Sequence, residues 1–145
     1  MIRLSEYSDS HFNNVKNIQI HEFQRDFVCT PEDLINRLNQ DRINHAMCVI
    51  LFAENPCGVF LMKELAPKEY FLWEMMIDKH YQNRGIGKMA ISDLIIKLKN
   101  THAKKISTTI KKNNNTALNL FLRSGFKITN EIDDNINLEM EIYYD

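Results

Sequence analysis

Glycine is scarce in this chain, and that scarcity constrains it more than any other feature. Only four glycines occur among 145 residues, and two of them, Gly85 and Gly87, stand one residue apart. They lie in Gln82-Asn83-Arg84-Gly85-Ile86-Gly87-Lys88, between an apolar segment and a helical one. Such a pair permits a tight turn and close backbone approach. Free N–H groups at the helix start then converge on one spot, where the helix dipole favours an anion. Arg84 and Lys88 add positive charge. A GxxxxGK[ST] phosphate loop is excluded, and so is G-x-G-x-x-G, because position 90 is alanine. The alternative is a plain glycine turn before an ordinary helix.

The length suits a single domain spanning residues 1–145. Ile2–Tyr7 alternates as a strand. A helix is expected after Asp9 or Ser10, with Phe12, Val15 and Ile18 on one stripe and Glu22 or Phe23 extending it. Thr30-Pro31-Glu32-Asp33 carries an N-cap, a proline at the first helical position and acids in the first turn. Ala46–Ala53 and Gly58–Lys63 read as a hairpin turning at Glu54–Cys57. Tyr70–Ile77 is apolar on both faces, as a central strand should be, with Glu74 its one charge. Gly85–Asn100 reads as a helix and Lys105–Ile110 as a strand. A short helix from Asn114 or Asn115 to Ser124 is closed by Gly125. Phe126–Ile132 and Ile136–Tyr144 are strands joined at Asp133-Asp134-Asn135. The order is β-α-α-β-β-β-α-β-α-β-β, a mixed α/β domain.

Net charge is −1, but it is unevenly spread. Residues 79–112 hold nine basic side chains and one acid, a local excess of eight positive charges. The remainder is correspondingly acidic. No aromatic-interleaved basic strand accompanies the lysines, so nucleic acid is not expected as a partner. No apolar run approaches the ~18 residues of a membrane span, and the N-terminus has no signal-peptide core. Cys29, Cys48 and Cys57 show no CxxC spacing and read as reduced thiols in a cytoplasmic protein. The histidines His11, His45, His80 and His102 lack metal-ligand spacing, so no metal is expected.

A second segment joins the glycine pair: Asn114-x-x-Ala117-x-x-Leu120-Phe121-x-x-x-Gly125-Phe126. Together with Gln82-x-x-Gly85-x-Gly87 it resembles the GCN5-related N-acetyltransferase (GNAT) family, over about residues 2–142. The resemblance implies a mostly antiparallel central sheet of about seven strands with flanking helices. It implies transfer of acetyl from acetyl-CoA, as co-substrate, directly to a primary amine. Gln82, Asn83, Arg84, Gly85, Ile86, Gly87 and Lys88 would then hold the CoA pyrophosphate. Met75 and Ile77 would pair with the pantetheine arm in a splay of the sheet, and Asn114 would touch that arm. The oxyanion would take a backbone N–H at Met75.

Glu74 is the first candidate for the base, since desolvation raises the pKa of a lone carboxylate in an apolar strand. Alternatively it pairs with a cation or faces solvent. Glu22, His21 and an ordered water are other candidates for the base. The family often carries tyrosine at the position of Phe121, as proton donor to the leaving thiolate, and phenylalanine cannot donate. Tyr143 and Tyr144 are substitutes only if the last strand folds toward the site.

Acids cluster in two regions, Glu22, Asp26, Glu32 and Asp33, and Glu131, Asp133, Asp134, Glu139 and Glu141. In this fold those regions flank the acceptor side, where an acidic groove would attract a small cationic amine such as a polyamine. Gln24-Arg25-Asp26-Phe27-Val28, and Ile77-Asp78 leading into Tyr81-Gln82, also resemble bacterial spermine/spermidine acetyltransferases. Two other functions remain: a protein N-terminal or lysine acetyltransferase, and a non-catalytic acyl-CoA sensor. A homodimer is left open.

Overall fold

A computed structural model describes residues 2–21 and 29–142. In chain order the elements are β1 (Ile2–Glu6), α1 (Phe12–Lys16, entered through a 3-10 turn at Asp9–His11), α2 (Pro31–Gln40), β2 (His45–Phe52), β3 (Asn55–Ala66) and β4 (Glu69–Ile77). A 3-10 turn at Lys79–Tyr81 leads to α3 (Ile86–Asn100), then β5 (Lys105–Lys111), α4 (Asn115–Arg123), β6 (Lys127–Ile132) and β7 (Asn135–Glu141). One seven-stranded sheet runs β1-β2-β3-β4-β5-β7-β6. Every neighbouring pair is antiparallel except β4 and β5. The expected element order and the mostly antiparallel sheet are both present. Among the described residues no helix is long and apolar enough to cross a membrane.

Sequence periodicity sets the two faces. Along β2, Met47, Val49 and Leu51 join Leu34, Ile35 and Leu38 of α2 in one core, while Cys48 and Ile50 join Ala90, Ile91 and Leu94 of α3 in the other. A strand buried on both sides must be apolar, and this one is from Ala46 to Phe52.

Helix α2 starts as expected. Thr30 Oγ1 accepts from the Asp33 N–H at 3.1 Å, and the Asp33 carboxylate accepts from the Thr30 N–H at 3.2 Å. This is a reciprocal cap with proline at the first helical position. Helix α1 ends at Lys16, so Ile18 packs from the segment beyond it. Glu22 and Phe23 lie outside the described residues.

Several boundaries differ from the sequence reading, and those at three places bear on the site. The β2–β3 turn is Ala53-Glu54, both at positive φ (49° and 64°), and not Glu54–Cys57. A two-residue hairpin loop favours such a left-handed pair. Asn55 and Pro56 already belong to β3, where Ile50 opposes Gly58 and Leu51 opposes Pro56. That leaves Cys57 as the extra residue of a bulge, a place where a strand tolerates proline. Helix α3 begins at Ile86, because Gly85 is its N-cap in the left-handed conformation. Strand β7 ends at Glu141, and Tyr143 and Tyr144 lie outside the described residues.

Candidate active site

Strand β4 carries an irregularity that the rest of the site depends on. Leu61 of β3 opposes Glu74, but the next residue, Met62, opposes Leu72. Trp73 is therefore the extra residue of a β-bulge, and simple alternation breaks there. Leu72 faces the α3 core, Trp73 and Met76 face the α2 core, and Met75 and Ile77 return to the α3 side. The bulge thus places Trp73 and Glu74 together on the α2 face. Arg37 of α2 lies over the Trp73 ring, its Cζ 4.1 Å from the centroid.

The sheet also opens at this point. The β4–β5 ladder stops at Leu72 opposite Thr108, although β4 runs on to Ile77 and β5 to Lys111. Thr108, buried, donates its hydroxyl to the Leu72 carbonyl at 2.9 Å where the strands part. The Thr108→Val variant should lose roughly 1–3 kcal/mol in denaturant unfolding, because a buried carbonyl is left unpaired.

A cleft of about 630 Å³ fills the opening. Its walls include Glu74, Met75 and Ile77 from β4, Thr109 from β5, and Leu120 and Phe121 from α4. The segment after β4 contributes Gln82, Asn83, Gly85, Ile86, Gly87 and Lys88. Trp73 lines it from the α2 side, so it passes between the strands from one face of the sheet to the other, and Ile20 also belongs to its wall.

Sequence and geometry suit the start of α3 to holding an anion. Asn83 and Gly85 both have positive φ (62° and 77°), which turns the chain sharply into the helix. Gly85 supplies no capping side chain and the first turn holds no acid. The leading N–H groups of a helix have no partner within it, so here they are left to a ligand. A Cβ on Gly87 would stand 3.3 Å from Leu120 Cδ2, so glycine lets α4 pack close to the helix start. Gln82 donates its side-chain amide to the Ile77 carbonyl at 2.8 Å, tying this segment to the end of β4.

Of Glu74 and the residues nominated for the cofactor, Arg84 alone falls outside the cleft wall. Its Cζ lies 5.3 Å from the centroid of the Tyr81 ring. Asn114 lines the cleft and caps α4, its Oδ1 accepting from the Ala117 N–H at 3.3 Å. Phe121 is buried and meets Phe126 edge-on, with ring centroids 5.1 Å apart. The sequence reading missed Ile20, Thr108 and Thr109. Nothing in Lys105–Lys111 marks Thr108 except a threonine in a β-branched run.

Burial drives the Glu74 carboxyl up to a pKa of about 7, against the opposing pull of backbone N–H groups at Met75 and Cys29. Among the described residues no cation pairs with it. The neighbouring Cys29 thiol is pushed up to about 11 by burial and by the charge of Glu74, so it stays protonated near neutral pH. His21 is absent from the cleft wall.

The expected acidic groove is only partly present. Glu139 and Glu141 oppose Ser107 and Lys105, at the end of β5 away from the cleft, and Glu139 pairs with Lys105 at 3.4 Å. The antiparallel return of β7 carries them there. Glu131 pairs with Lys112 at 3.8 Å. Asp133 and Asp134 form the turn next to Asn135, which lines the cleft. Glu22 and Asp26, with all of Gln24–Val28, lie outside the described residues.

The Acetyltransferase (GNAT) family model matches residues 12–126. The chain belongs to the GNAT acetyltransferase family. One curated relative, from Bacillus subtilis subsp. natto (strain BEST195), bears the name "Probable spermine N(1)-acetyltransferase" and is 39% identical over 66 residues. That match covers 45% of this chain and 43% of the relative, so it spans less than half of either. The fold is similar to that of spermidine N-acetyltransferase from Vibrio cholerae, solved with CoA and spermine, at a TM-score of 0.80 and 13% identity over 97% of this chain and 95% of that one. It is similar too to the ribosomal-protein-S18-alanine N-acetyltransferase of Escherichia coli, at a TM-score of 0.78 and 15% identity over 100% and 96%.

Proposed function

We propose that this GNAT chain moves an acetyl group from acetyl-CoA directly onto a primary amine, with Glu74 as general base and a small cationic amine, such as a polyamine, as acceptor. One observation carries the reading: Glu74, half-buried and with its pKa raised to about 7, lines the same cleft as the uncapped start of α3. The N–H groups of Ile86, Gly87 and Lys88 would take the diphosphate, with Asn83 and Gly85 shaping their approach and Lys88 adding charge. Arg84, stacked on Tyr81, would serve the outer phosphates. The edge of β4 at Met75 and Ile77, which β5 leaves uncovered beyond Leu72, would receive the pantetheine amides as a strand receives its neighbour.

An aliphatic ammonium has a pKa near ~10 and must lose a proton before its nitrogen can attack. Glu74 takes that proton. The amine lone pair forms the C–N bond and the carbonyl oxygen gathers charge; the Met75 N–H expected to meet that charge is engaged by the Glu74 carboxylate. The tetrahedral centre then collapses, the C–S bond breaks, and the nitrogen's second proton passes to solvent. Phe121 offers the departing sulfur no proton. A thiol pKa near ~8.5 makes thiolate a workable leaving group without one.

The acceptor assignment is supported by the partial likeness to a spermine acetyltransferase and by Asp133 and Asp134, which adjoin the cleft-lining Asn135 in sequence. The test is release of CoA thiol from acetyl-CoA, with mass confirmation of the product. Spermidine, spermine and putrescine would be compared with neutral amines and with N-terminal peptides. Polyamines should turn over and peptides should not, and added salt should slow the reaction by screening. Turnover of peptides alone would overturn the acceptor assignment. Phe121 favours a second reading, a sensor that binds acetyl-CoA without turnover, and CoA affinity with no acetylated product would establish it.

A further inference from the structure

Asp78 stands between the two halves of this site. It follows Ile77, the last cleft-lining residue of β4. Its Oδ2 accepts from the Gln19 N–H at 3.0 Å. Its Oδ1 accepts from the His80 backbone N–H at 2.9 Å and contacts His80 Nδ1 at 2.8 Å. The backbone repeats the connection, with the Lys79 N–H donating to the Gln19 carbonyl at 2.6 Å and the Asp78 N–H to the Cys57 carbonyl at 2.7 Å. Only 15% of the side chain is exposed. Burial alone would raise this carboxyl, but the hydrogen bonds from Gln19 and His80 outweigh it and hold the group below the ordinary range.

The partners of this one carboxylate lie far apart in sequence and serve different sides of the cleft. Gln19 stands between Ile18, which packs in the α2 core, and Ile20, which lines the cleft. His80 immediately precedes Tyr81 and the Gln82–Lys88 segment, which line the other side. A rigid, planar carboxylate with both oxygens engaged cannot follow one partner without moving the other. We propose that Asp78 is a positioning residue that couples occupation of the Gln82–Lys88 segment to the placement of Gln19 and Ile20 on the acceptor wall. The proposal rests on the reading of that segment as the CoA site. Asp78 itself touches no reacting atom. Its function is to make cofactor binding set the wall against which the amine is held.

Hydrogen exchange on the full chain, with and without CoA, tests this without knowledge of the acceptor. The Gln19 amide is a direct reporter, since it donates to Asp78. In the unmodified protein CoA should slow exchange in residues 82–88 and also in residues 17–21, the latter by about tenfold, within the 5–150-fold range of coupled sites. In Asp78→Ala, CoA should still slow exchange in 82–88, while 17–21 no longer responds. His80→Ala leaves the Gln19 contact in place and should keep the response. Asp78→Asn, a milder change should the alanine variant fail to fold, should retain only part of it. A full response of 17–21 in Asp78→Ala or in Asp78→Asn would show that CoA acts on that segment directly, and would overturn the proposal. Protection of 82–88 without 17–21 in the unmodified protein would overturn it too, leaving the CoA site standing. Protection of neither segment would overturn both.

Discussion

Replacing Glu74 by glutamine is expected to lower kcat by about 10²–10⁴-fold, the usual contribution of a positioned base. CoA affinity should stay unchanged, because glutamine has the same shape and the cofactor contacts lie elsewhere. The unmodified protein should also show a distinctive pH profile at saturating substrates. Below pH 7 the carboxyl is protonated and cannot accept the amine's proton, so kcat should climb with a midpoint near pH 7. No falling limb should follow from residue 121, since Phe121 has no proton to lose. Glu74→Gln should flatten the rise. A variant retaining full kcat, or one retaining the sigmoid, would assign the base to another group.

This carboxylate was conspicuous in the sequence because it is the one charge in Tyr70–Ile77. Its environment was less so. Alternation alone would put Glu74 on the same face as Leu72, against α3. The bulge at Trp73 moves it to the α2 face, beside Cys29. Nothing within Tyr70–Ile77 encodes that bulge, which arises from how β3 and β4 come into register. The same holds for the parting of β4 from β5, a property of two strands separated by an entire helix.

The Gln82–Lys88 segment was legible for the opposite reason. Positive φ at Gly85 and an uncapped helix start are local properties, and a glycine pair announces them. Misreadings occurred where local signals compete. Asn55-Pro56 has turn chemistry, yet the pairing of β2 with β3 draws both residues into the strand and turns the chain at Ala53-Glu54. The acids of the last hairpin, Glu131 to Glu141, are close in sequence. An antiparallel strand carries its two ends to opposite ends of the sheet, so Glu139 and Glu141 leave the cleft while Asp133 and Asp134 adjoin Asn135 of its wall. Asp78 drew notice only as part of a weak likeness, since its partner Gln19 lies 59 positions away.

The Glu74→Gln variant should also be more stable than the unmodified protein, and only above a definite pH. In the unfolded chain this carboxyl titrates near its ordinary value of 4.5, and in the folded chain near 7. Below the lower value it is protonated in both states and contributes nothing. Between the two values the folded protein keeps a proton that the unfolded chain has released, so rising pH favours unfolding. Above about 7 the full penalty applies. A displacement of this size corresponds to roughly 3 kcal/mol. Glutamine removes the charge and keeps an oxygen that can accept from the N–H groups at Met75 and Cys29, at the cost of placing an amide NH₂ in the same buried space. Denaturant unfolding should therefore find the variant roughly 2–3 kcal/mol more stable at pH 8 and equal to the unmodified protein at pH 4. Equal stability at both values would mean that the folded carboxyl titrates as in water, and the explanation of its basicity by burial would fail. A gain at pH 8 coupled to a loss of kcat would locate at one side chain the conflict between holding a charge in an apolar sheet and having it ready to take a proton.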